Sequence, residues 1–150
     1  MLKILTISIF VSFLVINCSS SNNKNVSNET EFRSPQEIYI DGNIFFNDEN
    51  YEMAKKEFLE LTRLYPLSNE AIQSEIMIAF ISYLKMDYDT AILEFKRIIR
   101  KYPSHKDLDY VYYMIAMCNY EQITHEGLDG SFNELSLNSF QQILNRFPES

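Results

Sequence analysis

Tyr88 to Pro103 reads YDTAILEFKRIIRKYP and Tyr51 to Pro66 reads YEMAKKEFLELTRLYP, with 7 of 16 positions identical. A more divergent copy, NELSLNSFQQILNRFP, runs from Asn133 to Pro148 and keeps the Phe, the large apolar position and the closing aromatic-Pro pair. Apolar residues in each copy recur at spacings of three and four, as in Tyr51, Ala54, Phe58, Leu61 and Tyr65, which gathers them on one face of a helix. Each Pro ends its helix, because the residue before a proline is pushed out of the α region. A supersecondary unit repeated at this period means a stacked array, so function is to be sought on a shared surface.

Upstream of each copy lies a second helical stretch. Ser34-Pro35-Gln36-Glu37 supplies an N-cap, a proline at the first helical position and a Glu three residues past the cap. That helix runs through Ile38, Gly42 and Phe45 to a break at Asn47-Asp48-Glu49-Asn50. Gly42-x2-Phe45, Ala54-x3-Phe58 and Pro66 fall on the tetratricopeptide offsets, where a small residue at the helix crossing lets a Phe fill the space beside it. Ala79, Ala91, Phe95 and Pro103 repeat the arrangement 37 positions later, and Ala116, Ser136, Phe140 and Pro148 form a third set. Pro103 and Pro148 are 45 apart while Ala79 and Ala116 remain 37 apart, so eight extra residues fall within Thr124 to Asn133, where a surface loop is expected. The expected fold is all-α, a tetratricopeptide-like solenoid of three helical hairpins, residues 34–68, 69–105 and 106–150. The chain stops at Ser150 where another helix is due, so a longer chain or a partner covering that end is expected.

Composition agrees. In 150 residues, 46% hydrophobic and 14% aromatic content can form one modest core, and 3 Gly with 4 Pro leave few turns for a sheet. A net charge of -8 offers no basic stripe for phosphates, so no nucleic acid partner is expected. Cys18 and Cys118 sit in unrelated settings and no disulfide between them is expected.

Lys3 precedes thirteen residues, Ile4 to Ile16, broken only by Thr6, Ser8 and Ser12. That run is too short to span a bilayer and reads as a signal peptide, residues 1–17. Val15-Ile16-Asn17-Cys18-Ser19 resembles a bacterial lipobox, although Val15 and Asn17 stand where Leu and Gly or Ala are usual. Cys18 is therefore the expected lipid anchor. Residues 18–33 are polar and read as a flexible tether, holding the folded part about 20 Å from the lipid on average. Ser19 after the Cys favours, by resemblance to lipoprotein sorting, the outer membrane.

With the lipobox-like site, Tyr102-Pro103-Ser104-His105 followed by Asp109-Tyr110-Val111-Tyr112-Tyr113 and then Tyr120-Glu121-Gln122-Ile123 gives a pattern that ordinary tetratricopeptide repeats lack. Over roughly residues 34–150 the chain resembles the BamD family of outer membrane protein assembly factors. The resemblance implies a lipoprotein on the periplasmic face of the outer membrane that works with the barrel subunit BamA and other assembly-machinery lipoproteins, recognising unfolded outer membrane protein precursors. It implies no catalysis and no cofactor. A periplasmic adaptor of the CpoB type, coordinating envelope and division, shares the Tyr-Pro-x-Ser punctuation, but it has a coiled coil before its repeats where 19–33 shows no heptads.

The first helices should line the concave side, exposing Gln36, Tyr39, Asn43 and Phe46, then Gln73, Ile76, Phe80 and Tyr83, then Tyr110, Tyr113, Met117 and Tyr120. The candidate peptide groove is Tyr39, Phe46, Gln73, Phe80, Tyr83, Tyr110, Tyr113, Met117 and Tyr120. Each aromatic residue there has a second reading, as packing between neighbouring helices. His105 and His125 are the only histidines and have no ligand-spaced partner, so no metal is expected, and His105 is expected to help cap a helix. Cys118, among Met114, Ile115 and Met117, reads as a buried structural thiol. Glu57, Glu60 and Glu94 read as solvated helix faces with i,i+4 partners. No catalytic signature is found.

Overall fold

The computed structural model describes residues 32–125 and 130–149. The signal peptide, Cys18 and tether residues 18–31 lie outside the described residues, as do 126–129 of the expected loop.

Among the described residues six helices follow one another: α1 Pro35–Asn47, α2 Tyr51–Leu64, α3 Asn69–Leu84, α4 Tyr88–Lys101, α5 Leu108–His125 and α6 Gly130–Arg146. No strand occurs among the described residues. Successive helices pack in chain order, and the first helices of neighbouring hairpins also touch, α1 on α3 and α3 on α5. The second helices α2, α4 and α6 stand apart at the backbone, and a side-chain ion pair, Lys55 with Glu94, reaches from α2 to α4. This is the three-hairpin, tetratricopeptide-like stack that the repeat predicts.

Local chemistry sets the boundaries. A capping box opens α1: Ser34 Oγ accepts from the Glu37 N–H at 3.2 Å, and Glu37 Oε2 accepts from the Ser34 N–H at 2.7 Å. The Ser34 N–H and the Ser34 hydroxyl, which also donates to Oε2 at 2.8 Å, hold the Glu37 carboxyl below its usual range. Asn50 and Asp87, 37 positions apart, cap α2 and α4 in the same way. Before each cap the chain turns through a left-handed residue, Glu49 at φ 58° and Met86 at φ 61°. The Asn50 N–H reaches the Phe45 carbonyl at 2.9 Å and the Asp87 N–H reaches that of Ser82 at 3.0 Å, so both first helices close in a Schellman motif. Glycine is the usual residue at such a position, and neither hairpin has one.

The first two hairpins close on the predicted contact. Ala54, Phe58 and Leu61 of α2 are fully buried, as are Ala91, Phe95 and Ile98 of α4. A Cβ on Gly42 would stand 2.5 Å from Phe58 Cε1, so only hydrogen fits there without the ring shifting.

Three expectations change. The eight extra residues of the third hairpin are mostly helix. α5 runs to His125, four past the position matching Leu84, and α6 begins three before the match to Tyr88. Arg33, expected at the end of the tether, belongs to the fold. Its guanidinium meets Asp41 at 3.1 Å, Glu57 at 2.9 Å and Glu60 at 3.5 Å, and its carbonyl accepts from the Tyr65 hydroxyl at 2.7 Å. Glu57 is consequently buried rather than solvated. Glu94 likewise turns inward, accepting from Ser82 Oγ at 2.8 Å. These carboxylates pair across helices, not along one.

Two stability changes follow. Met86→Gly should raise stability by about 1 kcal/mol, since it relieves a left-handed L-residue whose side chain is exposed. Gly42→Ala should lower it by about 1 kcal/mol, as overpacking against Phe58 exceeds the gain in helix propensity. Urea denaturation followed by circular dichroism measures both.

Candidate peptide-binding face

The first helices α1, α3 and α5 place the expected groove residues in columns 37 positions apart. At the N-terminal ends of these helices the column is a polar clasp. Gln36 Nε2 donates to Glu70 Oε1 at 2.8 Å, and Gln73 Nε2 donates to Asp107 Oδ2 at 2.6 Å. Each bond ties one hairpin to the next. Gln73 therefore joins repeats, and it is half-buried. The third member, Tyr110, is exposed.

The middle columns divide. Tyr39 packs its ring 5.8 Å from Phe58, and Tyr113 meets Phe140 edge-on at 6.4 Å. Ile76, at the same position in the second hairpin, shares the buried cluster of Phe95 and is 5% exposed. Its expected exposure is thus overturned, because α5 and α4 close over it. Tyr113 keeps 44% of its surface because no later hairpin among the described residues covers that column.

At the C-terminal ends of the first helices the face is aromatic. Phe46 lies 5.6 Å from Tyr51 and 6.0 Å from Phe80. Phe80 stacks on Tyr83 at 5.9 Å with 13° between planes, and Tyr83 lies 5.7 Å from Tyr88. The rings of Tyr51, Phe46, Phe80, Tyr83 and Tyr88 form a ladder across two hairpins, each keeping a partly open edge. Met117 is half-buried and Tyr120 is 49% exposed on the same side of α5. Tyr51 and Tyr88 belong to this ladder, although the sequence reading confined the groove to the first helices. Their shared 37-residue spacing with Phe46 and Tyr83 is the signal that could have found them.

Burial raises the Tyr83 and Tyr88 hydroxyl pKa values, and the nearby Glu121 carboxylate raises them further. Tyr110, though 39% exposed, also has its hydroxyl pKa raised by partial desolvation. Such a face offers flat apolar surface with polar tips, suited to a chain that brings aromatic side chains and an open backbone. Cys118 is fully buried and its thiol is pushed up to about 12 by that burial, so it is an inert core group. His105 Nδ1 accepts from the Asp107 N–H at 3.4 Å just ahead of α5, a local turn contact.

Stacked helical hairpins tied by a polar clasp and an aromatic ladder define a helical-repeat protein. The chain belongs to the YfiO family, described as outer membrane lipoprotein, whose model matches residues 32–150. It is 26% identical to the outer membrane protein assembly factor BamD of Rickettsia prowazekii, over 99% of this chain and 57% of that protein. It is 28% identical to the Caulobacter vibrioides protein of the same name over 80% of this chain and 39% of that one, and 25% identical to the Pasteurella multocida protein over 99% and 59%. The chain thus spans about half the length of these curated relatives. No helix among the described residues is long and apolar enough to cross a membrane.

Folding favours the protonated form of Tyr83 and Tyr88, so their contribution to stability is complete below about pH 10 and is lost as pH rises through their raised native values. Urea midpoints measured from pH 8 to 11.5 should fall above pH 10, less steeply in Tyr83→Phe. A midpoint independent of pH would contradict the burial of these hydroxyls.

Proposed function

We propose that this chain is the peptide-recognising part of an outer membrane assembly factor, a scaffold without catalytic chemistry that holds unfolded outer membrane protein precursors for insertion. Family membership supports the outer membrane setting, and the name of the relatives supplies the process. The observation that carries the reading is the ring ladder from Tyr51 to Tyr88 continued by Met117 and Tyr120, an aromatic surface longer than one hairpin needs for its own packing. A precursor's terminal β-strand presents side chains on alternate faces, and an aromatic end residue would lodge against these rings while Tyr hydroxyls meet its backbone.

In this reading Cys18 carries the lipid, residues 18–33 are the tether and 34–150 the repeat domain, placed at the periplasmic face of the outer membrane. The partners are the barrel subunit BamA and other assembly-machinery lipoproteins, together with the precursor peptides. Tyr120, Tyr110 and the open edges of Tyr83 and Phe80 make the contact. Tyr39 and Gln73 support the scaffold.

The test is peptide binding followed by fluorescence anisotropy, with a labelled strand peptide ending in Phe. Tyr120→Ala should weaken binding by about five- to tenfold, near 1 kcal/mol, with melting unchanged because the ring is half exposed. Equal affinity for a peptide whose terminal Phe is replaced by Ser would sink the reading. In a pull-down from membranes, recovery of the barrel subunit supports the assembly role; peptidoglycan synthases without it would point to envelope-division coordination instead.

A further inference from the structure

Because the second helices stand apart at the backbone, a groove runs between each successive pair, floored by the intervening first helix. Repeat symmetry makes the two grooves directly comparable, position by position.

Between α2 and α4 the groove is bridged by charge. Lys55 Nζ of α2 lies 3.9 Å from Glu94 of α4, and Lys85, just past the end of α3, pairs with Glu52 of α2. On the floor, Glu75 is held by Lys101 at 2.6 Å, with Arg97 at 4.0 Å. Between α4 and α6 every one of these bridges is missing. Tyr112 stands for Glu75, Ser139 for Glu94, Gln142 for Arg97 and Gln122 for Lys85. The second groove stays open, with a cavity of about 550 Å³ over Tyr112 and Ile115 of α5.

Its chemistry is one-sided. Lys96 and Arg100, one turn apart on α4, line it without an ion pair among the described residues, and Asp89 is the only carboxylate in its lining. Arg146 lies over the Tyr112 ring at 5.3 Å on the opposite wall. Gln122 is 7% exposed at the floor, and its Nε2 finds no acceptor among the described residues.

We propose that the groove between α4 and α6 is a docking site for an acidic amphipathic helix of a partner protein. Its apolar stripe lies on Tyr112, Ile115 and the exposed Leu135, and its carboxylates meet Lys96 and Arg100. Two flanking helices over a helical floor form a trough shaped for another helix, the helix-in-groove mode of recognition. Charge argues for the sign of the partner: with a net charge of -8 the protein as a whole repels acidic chains, and this trough offers them unpaired cations.

The test uses the intact chain and a labelled 16-residue helical peptide with Leu at i, i+3, i+4 and i+7 positions and Glu on both flanks, titrated by anisotropy at low and moderate salt. Saturable binding is expected, weakened at least tenfold in Lys96→Glu with Arg100→Glu. The control Lys56→Glu with Lys106→Glu, which changes net charge equally on exposed sites, should leave it unchanged. Absence of binding overturns the proposal, as does equal weakening in both double variants or equal affinity for the peptide with Lys in place of Glu. Capture of phosphatidylglycerol vesicles that depends on Lys96 and Arg100, without peptide binding, would assign the trough to an anionic surface and overturn it too.

Discussion

The first two hairpins depend on one close approach, the small residue of the first helix set against the Phe of the second. Gly42 against Phe58 is its tightest form, and Ala79 and Phe95 lie together in the buried cluster of the second hairpin. A larger residue at the crossing would push the helix axes apart and open the interior of the hairpin, since interiors are packed to crystal-like density. The 37-residue period follows. Two helices of this length, two tight turns and one fixed crossing return the chain to the same place, so side chains at equal offsets line up as columns across the stack.

Those columns explain what could be read without coordinates. The capping box at Ser34, the Asn50 and Asp87 caps and the proline stops are local chemistry, written within three or four residues of where they act. What stayed hidden is set by neighbours distant in sequence. Glu57 looks like a surface carboxylate until Arg33, 24 positions earlier, folds onto it. Ile76 looks exposed by helical offset, yet it lies in the buried cluster with Phe95 and Val111. The third hairpin's extra residues contain Gly127 and Gly130, which suggest a loop, but the flanking stretches Glu121 to His125 and Ser131 to Asn133 hold no helix breaker and continue the helices.

The candidate face was half legible for the same reason. Its residue types and positions follow from the period, and the period also runs through Tyr51 and Tyr88, which complete the ladder from the second helices. Sequence alone could not tell a ring whose face is spent on packing from one whose edge is open. Tyr39 and Tyr120 are both tyrosines on first helices; the first is set against Phe58 and the second is half exposed.

Hairpins built on one repeated pattern raise a problem of order, since any second helix could pack beneath any first helix. The column Ile38, Glu75, Tyr112 breaks the degeneracy. Glu75 is 5% exposed, and its Oε1 accepts from Lys101 at 2.6 Å and from the Tyr102 hydroxyl at 3.0 Å. The same bond holds the Lys101 ammonium above its ordinary pKa. If α2 lay where α4 does, Leu64 would stand in place of Lys101 and Glu60 in place of Arg97. The buried carboxylate would then lose its cation and gain a like charge, a cost of several kcal/mol for an uncompensated buried ion. Ile38 imposes no such demand, so the charge sits only where it separates the correct pairing from the wrong one.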